Sequence, residues 1–240
     1  MAILASRDGS PPPLDVVLRQ AGAVFANRAG HAAAIHYGSA AGELAVCVSA
    51  VGVVDRSDLT ILALEAPPSQ LGALTSRLTG GEVAPGGALD AAGAWWCGAA
   101  PGTVMVVCPP GVGRRLVDRL RVHAAHQVSL RVLSLDFAAI GLLGPETGSV
   151  LRALGAYGSA GDPREAAPFG RGRVGEAEVW WLLESDRSAL LLTDRRQAGQ
   201  VWQAIESAGR PCGISCVGQE AAGRYALLER TRSRSAPVAG

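Results

Sequence analysis

The stretch VGVVDRSDLTILALEAP, residues 51–67, places four polar residues, 55–58, between two apolar segments. The residues before the polar group predict a helix over 42–51 that ends there. The residues after it, from Leu59 to Leu64, predict a buried strand. Three charges and a serine between two buried elements need a structural or a chemical reason.

The strand at 59–64 opens a pattern that the chain repeats about 80 residues later, which indicates an internal duplication. Each copy predicts a strand, a proline-containing turn, a short amphipathic helix, a strand with a Trp-Trp pair, a third strand and a longer helix. The two pairs are Trp95-Trp96 and Trp180-Trp181. The order β-α-β-β-α, occurring twice, predicts an α+β fold of two ferredoxin-like lobes, each an antiparallel sheet with helices on one face.

The chain is therefore expected to contain a flexible N-terminus, two lobes and a tail. The expected boundaries are 1–13 for the flexible N-terminus, 14–128 for the first lobe, 129–229 for the second lobe and 230–240 for a disordered tail. The first lobe is expected to begin with a helix over 14–29 and the second with a strand within 128–143. The Gly- and Pro-rich residues 155–175 predict a long loop.

Composition excludes several classes of function. The chain has 240 residues, 48% of them hydrophobic, and a net charge of +1, which disfavours nucleic acid as a partner. All 22 basic residues are arginines. The absence of lysine excludes a Walker A loop, a pyridoxal Schiff base and a lysine nucleophile.

Cysteine usage and the N-terminus indicate a location. Five widely spaced cysteines, in a chain that starts MAILASRDGSPPP without a secretory signal, predict a reduced cytoplasmic protein. The sequence contains no apolar run near the length of about 18 residues that spans a bilayer, so no membrane role is expected.

Three short motifs could bind ligands, but each has a simpler explanation. Gly170, Gly172 and Gly175 match G-x-G-x-x-G, although they precede a strand rather than open a helix. Gly111 and Gly113 lie at a strand-to-helix turn that could hold a phosphate, and an ordinary turn is favoured. Cys212 and Cys216 lack further ligands nearby in sequence to complete a metal site.

Asp90 is the main candidate for chemistry. It follows a Gly-Gly turn and precedes the Trp95-Trp96 strand, where a carboxylate could face a cleft and bind an amine-bearing ligand. From the residues alone, a surface aspartate that caps a turn is favoured.

Six segments occur in an order that resembles a known family. They are HYGSAAGE (36–43), VGVVDRSDLT (51–60), GGALD (86–90), IGLLGPET (140–147), VWQAIESAG (201–209) and PCGI (211–214). Over about residues 30–229 the chain resembles the folate-binding portion of the glycine cleavage T-protein, an aminomethyltransferase. Its relatives include folate domains of dimethylglycine and sarcosine dehydrogenases, a small subunit of heterotetrameric sarcosine oxidase, and a folate-binding protein of iron-sulfur cluster maintenance.

The resemblance implies a tetrahydrofolate-binding, aminomethyltransferase-like protein of one-carbon transfer, with a small amine as second substrate. Asp90 matches the carboxylate beside the reactive nitrogens of the folate, and the polar residues 55–58 match a junction beside the pocket. Folate contacts are implied at Tyr37, Trp96, Cys108, Glu184 and Arg224.

The chain also departs from the family pattern. Ala91 replaces a second acidic residue, Cys108 replaces an asparagine, and the Thr-Gly-Tyr-Thr-Gly-Glu stretch is missing, so that Glu184 is the substitute for its glutamate. The family's C-terminal barrel is also expected to be missing.

These departures support an alternative, a non-catalytic subunit or adaptor of a flavin-dependent amine dehydrogenase or oxidase, or of iron-sulfur protein maintenance. The segment CVGQE (216–220) resembles the signature of the latter relative. The expected partners include a second copy of the chain or a flavoprotein subunit.

Overall fold

The computed structural model describes residues 14–28, 31–123, 128–155 and 167–235. In chain order the elements are α1 (Asp15–Gln20), β1 (Val24–Arg28), β2 (His31–His36), α2 (Ala40–Ser49), β3 (Val51–Asp55), β4 (Thr60–Glu65), α3 (Pro68–Thr79), β5 (Ala88–Ala91), β6 (Ala94–Ala100), β7 (Thr103–Cys108), α4 (Pro110–His123), β8 (Ser129–Val132), β9 (Phe137–Leu143), α5 (Thr147–Ala153), β10 (Phe169–Val174), β11 (Ala177–Ser185), β12 (Ser188–Asp194), α6 (Ala198–Gly209), a 3-10 turn (Arg210–Cys212), β13 (Ile214–Cys216) and α7 (Gln219–Ser235).

The strands form two large sheets and one hairpin. The first sheet has the order β5-β6-β7-β4-β8, the second has the order β10-β11-β12-β9-β3-β13, and β1 pairs with β2. All pairs are antiparallel except β3 with β13. The two repeats appear as β4-α3-β5-β6-β7-α4 and β9-α5-β10-β11-β12-α6. The predicted α+β fold with duplicated ferredoxin-like units is confirmed.

Each large sheet has a helix-facing side and an inner side. On the first sheet, apolar residues such as Leu62 and Val106 pack under α3 and α4. On the second, residues such as Ile140 and Leu191 pack under α5 and α6. Because side chains alternate along a strand, the remaining apolar residues point to the inner sides.

The inner sides of the two sheets pack against each other, and we call this contact surface the seam. It contains Leu59, Ile61, Cys97, Met105 and Val107 from the first sheet and its approach, and Ala139, Phe169, Leu182, Leu190 and Leu192 from the second. A backbone hydrogen bond of 3.1 Å from Phe169 N–H to the Gly86 carbonyl also links the edges of the two sheets. The seam joins the two sheets through a continuous apolar core.

The polar residues 55–58 lie where the chain leaves the second sheet for the first. The Asp55 carboxylate accepts a hydrogen bond of 2.9 Å from the Ser57 backbone N–H, and both residues are buried. The Ser57 hydroxyl accepts 3.1 Å from the Ala139 N–H on β9. The Gln219 side chain donates to Asp58 at 3.1 Å. These polar groups therefore secure the crossing between the sheets.

The predicted helix over 42–51 is too long at its C-terminal end. Helix α2 ends at Ser49, and Val51–Asp55 form β3, a strand whose five residues are all buried between β9 and β13. Periodicity cannot distinguish a fully buried strand from a helix segment. Pairing with β9 and β13 determines the conformation of Val51–Asp55.

The predicted helix over 14–29 is likewise only partly correct. Helix α1 ends at Gln20, Gly22 adopts a positive φ of 86°, and Val24–Arg28 form β1. A glycine in the left-handed region stops a helix at low cost, and β1 then pairs with β2.

The second half also differs locally from expectation. Strand β10 occupies the end of the predicted loop 155–175, whose residues 156–166 lie outside the described part of the chain. Residues 230–235, predicted to belong to a disordered tail, form the end of α7. Residues 236–240 and the predicted flexible residues 1–13 lie outside the described part of the chain.

Candidate functional site

Asp90 lies on the inner side of the edge strand β5, beside the seam. Asp90 shares this side with Ala88 and with its cross-strand partner Trp95, and both of these pack into the seam. The Asp90 residue itself is exposed. Its carboxylate therefore stands at the border of the seam, where a ligand can reach it.

Glu184 reaches the seam from the other sheet. It lies on β11, on the same side as the seam residue Leu182, and it is half-buried. The Glu184 carboxylate accepts a hydrogen bond of 2.6 Å from the Ser188 hydroxyl across the hairpin.

Cys97 is buried in the seam next to the edge strand β5. It pairs with Ala88, two residues before Asp90. Burial, with a smaller contribution from the negative charge of Glu184, raises the pKa of the Cys97 thiol to about 12. Asp90 and Glu184 both lie on the seam-facing sides of their strands, one in each sheet.

Trp96 and Cys108 face away from the seam. Both are buried in the core under α3 and α4, because they alternate with the inner residues Trp95 and Val107. The Trp96 indole N–H donates 3.2 Å to the carbonyl of Ala91, the residue after Asp90. Trp96 therefore holds β5 from the helix-facing side of the sheet.

Tyr37 and Arg224 lie apart from Asp90. Tyr37 packs at the helix-facing core of the second sheet, and its buried hydroxyl has no hydrogen-bond partner among the described residues. Burial, with smaller contributions from Cys216, Asp55, Glu43 and Glu206, raises the pKa of Tyr37 above its usual range. Arg224 is exposed on α7.

The structure also reveals a buried carboxylate that the sequence did not single out. Glu43 is 8% exposed, and it accepts hydrogen bonds from the Tyr37 N–H at 2.7 Å and the Gly218 N–H at 2.8 Å. It thus clamps the end of β2, helix α2 and the start of α7 together. Its place in the quoted segment HYGSAAGE was the available signal, because a glutamate at the start of a helix often bonds nearby backbone amides.

The glycine motifs have structural explanations. A Cβ on Gly170 would lie 2.3 Å from the Trp181 ring, and one on Gly113 would lie 2.6 Å from Thr60. Gly170 therefore makes room for an indole, and Gly113 allows α4 to approach β4 closely.

A separate cavity of about 510 Å³ lies between the inner sides of the two sheets. Its lining includes Ala63, Met105, Arg131, Asp136, Phe137 and Trp180. None of the six predicted site residues, all within the described ranges, contributes to this lining.

Within the described ranges, no three His, Cys, Asp or Glu side chains cluster in a way that could hold a metal ion. In the same part of the chain, no helix combines the length and the apolar character needed to cross a membrane.

Comparison with known proteins identifies the fold. No protein-family model and no curated protein matches the chain. The structure is similar to the glycine cleavage system aminomethyltransferase T from Bartonella henselae, with a TM-score of 0.70 and 18% identity over 88% of this chain and 60% of that one. It is also similar to a chain of heterotetrameric sarcosine oxidase from Corynebacterium sp. U-96, with a TM-score of 0.58 and 19% identity over 73% of this chain and 93% of that one.

The chain thus spans 60% of the length of the aminomethyltransferase and nearly all of the matched sarcosine oxidase chain. At these identities the comparisons concern architecture. The described residues have the fold of the glycine cleavage T-protein, as the resemblance of the sequence segments predicted.

Proposed function

We propose that the chain is a tetrahydrofolate-binding, aminomethyltransferase-like protein that acts in one-carbon transfer. The observation that carries this proposal is the placement of Asp90 and Glu184 on the seam-facing sides of the two sheets, in a T-protein fold. Asp90 is the proposed catalytic residue.

The chemistry of these two side chains fits a folate. The pterin ring of a folate carries N–H donors, and ionised carboxylates are acceptors only, so each side chain supplies the complementary group. Asp90 is exposed and reachable, whereas Glu184 is held by Ser188. A carboxylate with a fixed orientation binds a planar heterocycle at a lower entropic cost.

The other implied contacts have different roles in this proposal. Trp96 is a positioning residue, since its indole holds the Ala91 carbonyl beside Asp90. Cys108, which faces the core under the helices, packs behind the sheet. Tyr37 and Arg224 lie near α2 and α7 and would meet a folate only through a part of it that extends beyond the seam.

Bound tetrahydrofolate would supply the nitrogen that accepts a one-carbon unit. Asp90 would orient that nitrogen by accepting a hydrogen bond from it, and its negative charge would stabilise the positive charge of an amine donor. The apolar residues of the seam would limit access of water to one side of the ligand.

Calorimetry with folinic acid and tetrahydrofolate tests the proposal. We expect saturable binding to the full chain, and at least a tenfold weaker affinity in Asp90→Ala, because a hydrogen bond to a charged group contributes about 1.5–3 kcal/mol. Glu184→Gln should weaken binding as well. Asp186→Asn, on the exposed β11–β12 turn, is the matched control and should bind normally. No heat at millimolar ligand would refute folate binding by the isolated chain.

A second candidate is a non-catalytic subunit of a flavin-dependent amine oxidase or dehydrogenase. The specific observation in its favour is the match over 93% of a chain of heterotetrameric sarcosine oxidase. Co-expression with the flavoprotein subunits of a heterotetrameric sarcosine oxidase tests it. Stable co-purification of flavin with this chain would support the subunit role, and a chain that elutes alone would refute it.

A further inference from the structure

The cavity of about 510 Å³ is separate from the region around Asp90. Along the first sheet, Asp90 is in register with Trp95 and Val107, whereas the cavity is lined further along by Ala63, Ala99 and Met105. We propose that this cavity binds a small organic cation, an amine with an apolar or aromatic body. The proposal does not depend on folate binding.

Small side chains create the cavity. Ala63 and Ala99 line it on the inner side of the first sheet, where the neighbouring inner positions carry larger residues such as Ile61 and Val107. Its volume falls within the range of about 300–1,000 Å³ that small-molecule sites occupy. Glu65, Arg131 and Asp136 in its lining are exposed, so a ligand can enter the cavity from solvent.

Aromatic side chains form the wall contributed by the second sheet. Trp180 and Phe137 both line the cavity. Trp180 is held in place because it stacks on Phe169, with 5.2 Å between ring centroids and an interplanar angle of 10°, and because Arg171 lies 5.4 Å from its ring. Rigid aromatic rings attract both apolar groups and cations.

The charged residues that line the cavity are two carboxylates, Glu65 and Asp136, and one guanidinium, Arg131. Glu65 and Arg131 form an ion pair of 3.8 Å at one side. Arg171 and Glu178 form a second pair beside Trp180. Asp136 remains, and its side chain makes no hydrogen bond or ion pair with any residue in the described ranges.

The backbone fixes Asp136 at the cavity. Its N–H donates 2.9 Å to the Leu133 carbonyl, and its carbonyl accepts 3.0 Å from the Arg195 N–H. A ligand amine can place its ammonium group next to this exposed carboxylate and its apolar body against Trp180 and Phe137. It would then pair with the charged part of the lining and pack against the aromatic part.

Three probes of similar shape and different charge test the proposal on the full chain. These are phenethylamine, which is cationic, 2-phenylethanol, which is neutral, and 3-phenylpropionate, which is anionic. Binding is followed by NMR shifts of the tryptophan indole N–H signals, with the Trp180 signal assigned from Trp180→Phe. We expect phenethylamine to shift the Trp180 signal and to bind about tenfold more tightly than the alcohol, and we expect the anion to bind weakest.

Two variants and a control complete the experiment. Asp136→Asn should remove the preference for the amine over the alcohol and leave binding of the alcohol unchanged, whereas Asp186→Asn should change neither. Ala99→Val, verified as folded by its NMR spectrum, should weaken all three probes by filling the cavity. The proposal is overturned if no probe shifts the Trp180 signal, if the anion binds as well as the amine, or if Asp136→Asn keeps the preference.

Discussion

Trp96 and Trp181 occupy equivalent places in the two repeats, and the comparison shows what duplication preserves. Both lie on the helix-facing side of their sheets, and each indole N–H donates 3.2 Å to a backbone carbonyl, of Ala91 and of Ala167 respectively. Their cross-strand partners differ, because Trp96 faces Leu89 and Trp181 faces Gly170. The hydrogen bonding of the indole is the same in both repeats, while the packing of the indole against the edge strand differs.

The two sheets also differ in how they receive strands from outside their own repeat. The second sheet includes β3, which precedes the first repeat in the chain. Hydrogen bonds of Asp55 and Ser57 hold the end of β3 in this sheet. The first sheet takes in β8, from the connection between the repeats. These additions join the repeats into one structure, so the predicted boundary at 128/129 separates β8 from the sheet that contains it.

The largest expected effect is the loss of either helix-side indole. Trp96→Ala and Trp181→Ala should each lower the free energy of unfolding by about 3–5 kcal/mol, because each leaves a large cavity in a buried core. Urea denaturation measures both. If the repeats are equivalent, the two losses should agree. A loss confined to one variant would show that one sheet carries most of the stability.

The inner tryptophans provide the matched controls. Trp95 and Trp180 are half-buried, so their replacement by alanine should cost less than that of their neighbours on the helix side. A greater cost for Trp95→Ala than for Trp96→Ala would contradict the assignment of inner and helix-facing sides.

A substitution at Gly170 tests the difference between the two edge strands. Gly170→Ala should destabilise the fold by about 3 kcal/mol, because the added Cβ would collide with the Trp181 ring, and overpacking a core is costly. Thermal and urea unfolding measure the change. The control is Gly223→Ala in α7, where the added Cβ would meet nothing within 4 Å apart from the helix's own backbone, and alanine should stabilise the helix there. A neutral Gly170→Ala would show that the Trp181 ring can move.

The clamp that holds β2, α2 and the start of α7 together is tested at Glu43. Glu43→Gln should lower the free energy of unfolding by about 2 kcal/mol, since one of its two backbone N–H partners would face an amide donor. Glu176→Gln, at an exposed turn, is the control and should have no measurable effect. Equal stability of the two variants would mean that the Glu43 clamp contributes little.

The smallest expected effect concerns pH. Burial raises the pKa of Cys97 from 9.0 to about 12, so the folded thiol keeps its proton at a pH where the unfolded thiol has lost it. The associated stability is complete below about pH 9 and falls as the pH rises toward about 12, by about 1 kcal/mol at about pH 10.

The pH effect is measured as a difference between variants. Urea unfolding at about pH 8 and about pH 10 should show a smaller decline in Cys97→Ala than in the native chain. Cys216, whose pKa is also raised to about 12, chiefly by burial, provides the comparison in the second sheet. Identical declines in the native chain and in Cys97→Ala would show that the Cys97 thiol titrates normally.

Much of the fold could be predicted because each repeat has a strong local pattern. The Trp-Trp strands, the amphipathic helices and the proline turns were all recognisable from their spacing. Strands β1, β3 and β10 were not. Strand β3 was predicted as the end of a helix because all five of its residues are buried, and β10 was predicted as part of a loop because its sequence contains glycines. The conformation of β3 depends on strands distant in the chain, whereas β10 forms a hairpin with β11, the strand that follows it.

The candidate site was predictable only in part for a similar reason. Asp90 and Glu184 reach the seam, but Trp96 and Cys108 alternate to the opposite side, and alternation within a strand is known only once its register is fixed. The cavity gave no sequence signal at all. It arises where alanines of one sheet face aromatic rings of the other, and this juxtaposition exists only in three dimensions.

The position of β3 has a consequence for how the chain acquires its structure. Its antiparallel neighbour β9 and its parallel neighbour β13 both follow it at a long distance in the chain. The apolar residues of β3 therefore have no pairing strand until those later segments have been synthesised, and contacts between such distant segments form slowly.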